Sequence, residues 1–157
     1  MQHGEALAAE VDPVRPLSDR GRESVMVVAG HAAVRGVRID RIVHSGKLRA
    51  EQTAIILADA SYCTDVSAHS GLAPADDVHE AVARLVHPES SSLAIVGHLP
   101  FLDRFASLLV AGDPDAHVVA FRNAGLVHLV RAGAGGRGES AGRFAVSWLL
   151  VPELATP

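Results

Sequence analysis

One cysteine, Cys63, is too few for a disulfide framework and fits a reducing compartment. Lys47 is the only lysine among the 14 basic residues. Such arginine usage suits oxyanion binding and is equally what a biased base composition would give. No apolar run approaches the ~18–20 residues needed to span a bilayer, and no basic-then-apolar leader pattern opens the chain. A net charge of −4 without clustered Lys or Arg gives no nucleic-acid footprint. These absences point to a soluble cytoplasmic protein without nucleic-acid or membrane partners. At 157 residues and 48% hydrophobic composition, the whole chain, 1–157, is expected to form one domain with a substantial core.

Short apolar runs alternate with helical patterns, the signature of an α/β domain. Ser18 caps a predicted helix that runs to about Arg35 and stops at Gly36. Arg41–His44 reads as a buried strand, followed through Ser45-Gly46 by a helix over about Leu48–Ala60. A weaker strand is expected over Asp65–Ala68, then a helix from Asp76 or Asp77 to about Val86. Leu93–Val96 is the clearest strand, and a helix begins at Pro100, where the missing N–H is tolerated. After Gly112 the pattern changes. His117–Phe121, Leu126–Arg131 and Phe144–Val151 all read as strands, the last two forming an antiparallel edge hairpin around a Gly-rich tip, 132–142. That tip lacks the G-K-[S/T] ending of a P-loop.

In open α/β sheets, ligands bind at the carboxyl ends of the parallel strands. His98 directly follows the Leu93–Val96 strand, and Arg49 lies in the first turn of the helix after Arg41–His44. His3 occupies an equivalent place if a strand runs ahead of it. All three therefore converge on one sheet edge, where helix N-termini add N–H donors and a partial positive field. An imidazole can attack phosphorus through one nitrogen when the other is held. A guanidinium fork and a second imidazole can stabilise the charge that spreads over the equatorial oxygens without a metal ion. His3 is thus assigned as nucleophile, Arg49 as phosphate clamp, and His98 as second clamp or proton partner. His31, His69, His79, His87, His117 and His128 show no metal-ligand spacing, and no cofactor is expected. His44 is kept as a supporting residue near the pocket.

Three stretches carry a specific pattern in combination: Gln2-His3-Gly4-Glu5 with Arg15-Pro16-Leu17-Ser18, then 44–53, then Gly97-His98-Leu99-Pro100. On these, the chain resembles the histidine phosphatase (phosphoglycerate-mutase-like) superfamily, in its short phosphohistidine-phosphatase branch. The resemblance covers Gln2 to Glu153. It implies a three-layer α/β/α sandwich with a mostly parallel central sheet and a reaction through a phosphohistidine intermediate. It puts the nucleophile at His3 and the phosphate pocket at Gln2, Arg49 and His98, with Gly4 counted beside them. The implied substrate is a phosphohistidine-containing protein or a small phosphorylated compound. Gln2 departs from the arginine usual before the nucleophile. The general acid of ester-cleaving relatives has only Asp76 and Asp77 as candidates, and both also suit helix capping. That lack favours phosphohistidine over alkyl phosphates. The alternative readings are a small-phosphoester phosphatase and a non-catalytic phospho-binding relative.

A last expectation concerns the strand ahead of His3. Buried parallel strands read as apolar runs of roughly five or six residues, whereas only Met1 and Gln2 stand there. The first strand therefore reads as truncated, and Met1 as an internal methionine of a protein that begins about four to six apolar-rich residues upstream, one strand length. Residues 1–3 are then expected to enter the sheet centre at its carboxyl edge, above an open slot.

Overall fold

The computed structural model describes residues 1–87, 92–132 and 144–155. Helix α1 (Asp19–Val34) starts at Ser18, whose hydroxyl accepts the Gly21 N–H at 3.0 Å. It ends before Gly36, which takes the left-handed φ of +75° that the stop requires. Strand β1 (Arg41–His44) leads to α2 (Leu48–Ser61), and β2 (Val66–Ala68) leads to α3 (Val78–Leu85). Asp77 caps α3, accepting the N–H groups of His79 and Glu80. Strand β3 (Leu93–Val96) leads to α4 (Phe101–Ala111), and β4 (Leu126–Arg131) and β5 (Phe144–Leu150) are followed by α5 (Pro152–Ala155).

The parallel sheet has the order β2-β1-β3, with Val43 beside both Ser67 and Ile95. Because neighbouring strand residues face opposite ways, Ile42 packs with Val25, Val28 and Leu57 of α1 and α2. Val43 packs with Val78, Phe101 and Phe105 of α3 and α4. Helices thus cover both faces, giving the three-layer sandwich. β4 and β5 form the expected antiparallel hairpin, from Leu126 beside Leu150 to Arg131 beside Phe144. Its tip falls outside the described residues beyond Ala132.

His117–Phe121, read as a strand from its sequence, is not one. Val118 instead gives its N–H to the Ser107 hydroxyl of α4 at 3.2 Å, and His117 takes a left-handed φ of +49°. The apolar run is real, but it straps across a helix and joins no ladder.

Residues 1–3 lie between β3 and the start of β4. Gly97 donates to the Met1 carbonyl and the His3 N–H to the Gly97 carbonyl, both at 3.2 Å. On the other side Gln2 donates to Gly125 and Ala124 donates to His3. This short run links the parallel sheet to the hairpin and brings His3 to the carboxyl ends of β1 and β3.

Candidate active site

His3 is fixed by its neighbours in sequence and in space. Its Nδ1 lies 2.6 Å from the Gly4 carbonyl, which can only accept, so Nδ1 carries the proton and Nε2 bears the lone pair. The Arg49 Nε–H, 3.2 Å away, points at that lone pair. Arg49 sits in the first turn of α2, and its carbonyl accepts from the Thr53 hydroxyl at 2.8 Å. The same buried hydroxyl accepts the Gly4 N–H at 3.1 Å. Thr53 therefore ties the helix that carries the guanidinium to the loop that carries His3.

His98 follows β3 and is buried, with its ring centroid 4.8 Å from that of His3. Its Nε2 lies 2.6 Å from Ser45 Oγ, in the turn between β1 and α2. Burial pushes its pKa down to about 3, helped by His3, Arg49, Lys47 and Arg15. His3 is also lowered, first by burial and then by the Arg49 and Arg15 cations, against the opposing pull of the Gly4 carbonyl. Both shifts favour the neutral ring, in a pocket whose positive charge comes from Arg49, Arg15 and Lys47.

His3, Arg49 and His98 thus meet at one point, as expected from sequence. Gln2 borders it, but its amide nitrogen donates to Asn123 Oδ1 at 2.6 Å and its buried Oε1 has no hydrogen-bond partner among the described residues. The N–H of Gly4 is engaged by Thr53. What Gly4 contributes is closeness, because a Cβ there would lie 2.7 Å from the Gly21 carbonyl oxygen. Asp76 and Asp77 bond within their own turns. Asp76 accepts from the Ala73 N–H at 2.7 Å, and the α3 cap holds Asp77 well below the usual carboxylate range. Each ties down its own turn, and neither bonds to His3, Arg49 or His98 among the described contacts. His44 is buried at the end of β1, its Nδ1 accepting the Gly46 N–H.

The sequence gives no role to Asn123, nor to Arg15, Ser45 and Thr53, although these three lie within its characteristic stretches. Ser45 and Thr53 lie inside the 44–53 stretch, and their place beside a strand end and one helical turn after Arg49 was the available signal. Arg15 is brought close by a loop whose Leu7 N–H bonds to Pro16, and its own Nε donates to the Leu7 carbonyl. Among the described residues no three His, Cys, Asp or Glu side chains gather as metal ligands. No described helix is long and apolar enough to cross a membrane.

No protein-family model matches the chain. Over 121 residues it is 31% identical to the phosphohistidine phosphatase SixA of Escherichia coli K12, covering 72% of this chain and 73% of that one. An uncharacterised protein of Picosynechococcus is 33% identical over 126 residues, covering 78% and 75%. Among solved structures, the protein histidine phosphatase SixA complexed with tungstate superimposes with a TM-score of 0.80. It is 26% identical, with 97% of this chain and 94% of that one covered. The α/β/α fold, the meeting of His3, Arg49 and His98, and these likenesses agree: the chain belongs to the histidine phosphatase superfamily and is SixA-like within it.

Proposed function

We propose that this chain, acting as one domain over residues 1–157, is a metal-independent phosphatase that removes phosphoryl groups from histidines of cytoplasmic proteins. The covalent carrier is His3. The observation behind this reading is the state of that ring, with Nδ1–H bound to Gly4, the Nε2 lone pair turned toward Arg49, and the His98 ring alongside. The activity named for the E. coli relative supports the same substrate class.

In the first step the His3 Nε2 lone pair attacks phosphorus and the P–N bond of the incoming phosphohistidine breaks. The leaving imidazole takes that electron pair and, protonated on its other nitrogen, departs as a neutral ring. Arg49 exchanges its contact with Nε2 for the phosphoryl oxygens, which its planar fork matches. The phosphoryl charge raises the pKa of His98, which takes up a proton and donates to a third oxygen. Water then attacks phosphorus, the P–N bond to His3 breaks, and inorganic phosphate leaves with His3 restored. An imidazole leaving group does without the carboxylic acid that an alkoxide requires, in keeping with Asp76 and Asp77 serving turns.

Turnover of a phosphohistidine protein and of p-nitrophenyl phosphate, with and without chelator, tests the reading. The expected result is faster turnover of phosphohistidine, unchanged by chelator. Phosphate binding without turnover would replace it with the non-catalytic phospho-binding reading.

A further inference from the structure

His44 pairs with Val96 at the ends of β1 and β3, so the chain leaving one strand runs beside the chain leaving the other. Gly46 then takes a left-handed φ of +77° and turns the backbone into α2, which keeps Ser45 at the strand end beside His98. Ser45 Oγ stands 2.6 Å from His98 Nε2 and is the one hydrogen-bond partner of that ring among the described residues. The charged and titratable groups that act on His98 come from three sides. They are His3 of residues 1–3, Arg15 of the loop before α1, and Lys47 and Arg49 at the start of α2. All are cations or bases, and none is a carboxylate. An imidazolium formed here has Ser45 Oγ as its protein acceptor.

We propose that Ser45 is a positioning residue for His98, a two-way hydroxyl that keeps Nε2 bonded while the ring gains and loses its proton. This rests on the reading of His98 as proton partner of the phosphoryl group. A hydroxyl has one proton to give and lone pairs that accept. To a bare Nε2 it donates. To Nε2–H it accepts, after turning about its Cβ–Oγ bond and keeping its own proton. A carboxylate in this place would favour the charged ring and an ammonium the neutral one. With a hydroxyl, the choice falls to what enters the pocket. Burial and the surrounding cations by themselves hold His98 down to about 3. A bound oxyanion offsets those cations, and the ring then charges without turning away from Ser45. The bond to the charged ring is charge-assisted and roughly twice as strong as the neutral one. Removing the hydroxyl therefore takes more from the charged ring than from the neutral ring, and lowers the His98 pKa further.

The test compares the unchanged chain with Ser45→Ala and Ser45→Thr in two readouts. Histidine NMR, with His98 assigned through His98→Asn, follows its titration in saturating sulfate, which stays a dianion across the range. The His98 pKa is expected to move down by roughly 0.5–1 pH unit in Ser45→Ala. In turnover of a phosphohistidine protein, Ser45→Ala is expected to lose about tenfold in kcat with KM less affected. The basic limb of its kcat profile should move to lower pH, because the protonated ring is the working form. Ser45→Thr should recover both readouts. Should Ser45→Ala fail to fold, Ser45→Cys is read in its place, since a thiol is the weaker acceptor. An unmoved or raised His98 pKa would overturn the proposal, as would a loss of turnover that is the same at every pH. The NMR shift in a chain without turnover would support the role of Ser45 and count against the phosphatase reading instead.

Discussion

Arg49 is the guanidinium bonded to His3, the proposed nucleophile, whereas the Gln2 amide is turned to Asn123. Arg49→Ala is therefore expected to lower kcat by ~10²–10³, the usual cost of removing a preorganised donor to the transition state. Gln2→Ala should cost less, and Gln2→Arg should be tolerated while raising ester turnover relative to phosphoramidate. Steady-state kinetics on both substrate types checks the order, and equal losses in Arg49→Ala and Gln2→Ala would mean the clamp is misassigned. The charge on Arg49 also acts on His3, whose pKa it helps to lower. Removing a neighbouring cation makes protonation easier, so the NMR titration of His3 should move upward in Arg49→Ala. At this scale the sequence was readable wherever a residue type announces its chemistry, as His3, Arg49 and His98 do. Ser45 and Thr53 have hydroxyls that suit many roles, and only their neighbours across the fold, His98 and Gly4, give them one.

Glycine spacing decides how the elements approach one another. A Cβ on Gly21 would lie 2.0 Å from the Glu5 carbonyl oxygen, so α1 can lie against the loop after His3 only with glycine at that turn. Gly21→Ala is expected to destabilise the fold by ~1–3 kcal/mol, the range for overpacking. Urea unfolding measures this, and an unchanged midpoint would show that the loop yields freely. Helix starts were legible because Ser18 and Asp77 each supply a capping oxygen just ahead of an apolar face. The strands β1 and β3 were legible because both faces are covered and their apolar runs are continuous. His117–Phe121 carries the same kind of run, but a strand is defined by its partner. Val118 has given its N–H to Ser107 instead, a pairing that no local pattern encodes.

The molecule as a whole holds several ionisable groups in their neutral forms, which links its stability to pH. His98 sits at about 3 in the fold against an ordinary 6.5, and His3 is lowered as well. Both are lowered bases, so between the two values the unfolded chain binds the proton and the folded chain does not. Stability is then greatest above the ordinary value and is lost as pH falls from 6.5 toward 3 for His98. Urea midpoints should fall steadily between these limits, and His98→Asn should flatten the acid part of the curve. The placing of His3 at the carboxyl edge of the parallel sheet is legible in the sequence, whereas the backbone that flanks residues 1–3 on their other side, Ala124 and Gly125 ahead of β4, comes from far along the chain. The account turns on His3 as covalent carrier. Its most direct measurement is brief incubation with a radiolabelled phosphohistidine protein, an alkaline quench, and mapping of the labelled peptide. The predicted result is acid-labile label on His3, absent in His3→Ala together with turnover. Label on another residue, or undiminished turnover in His3→Ala, would contradict the account.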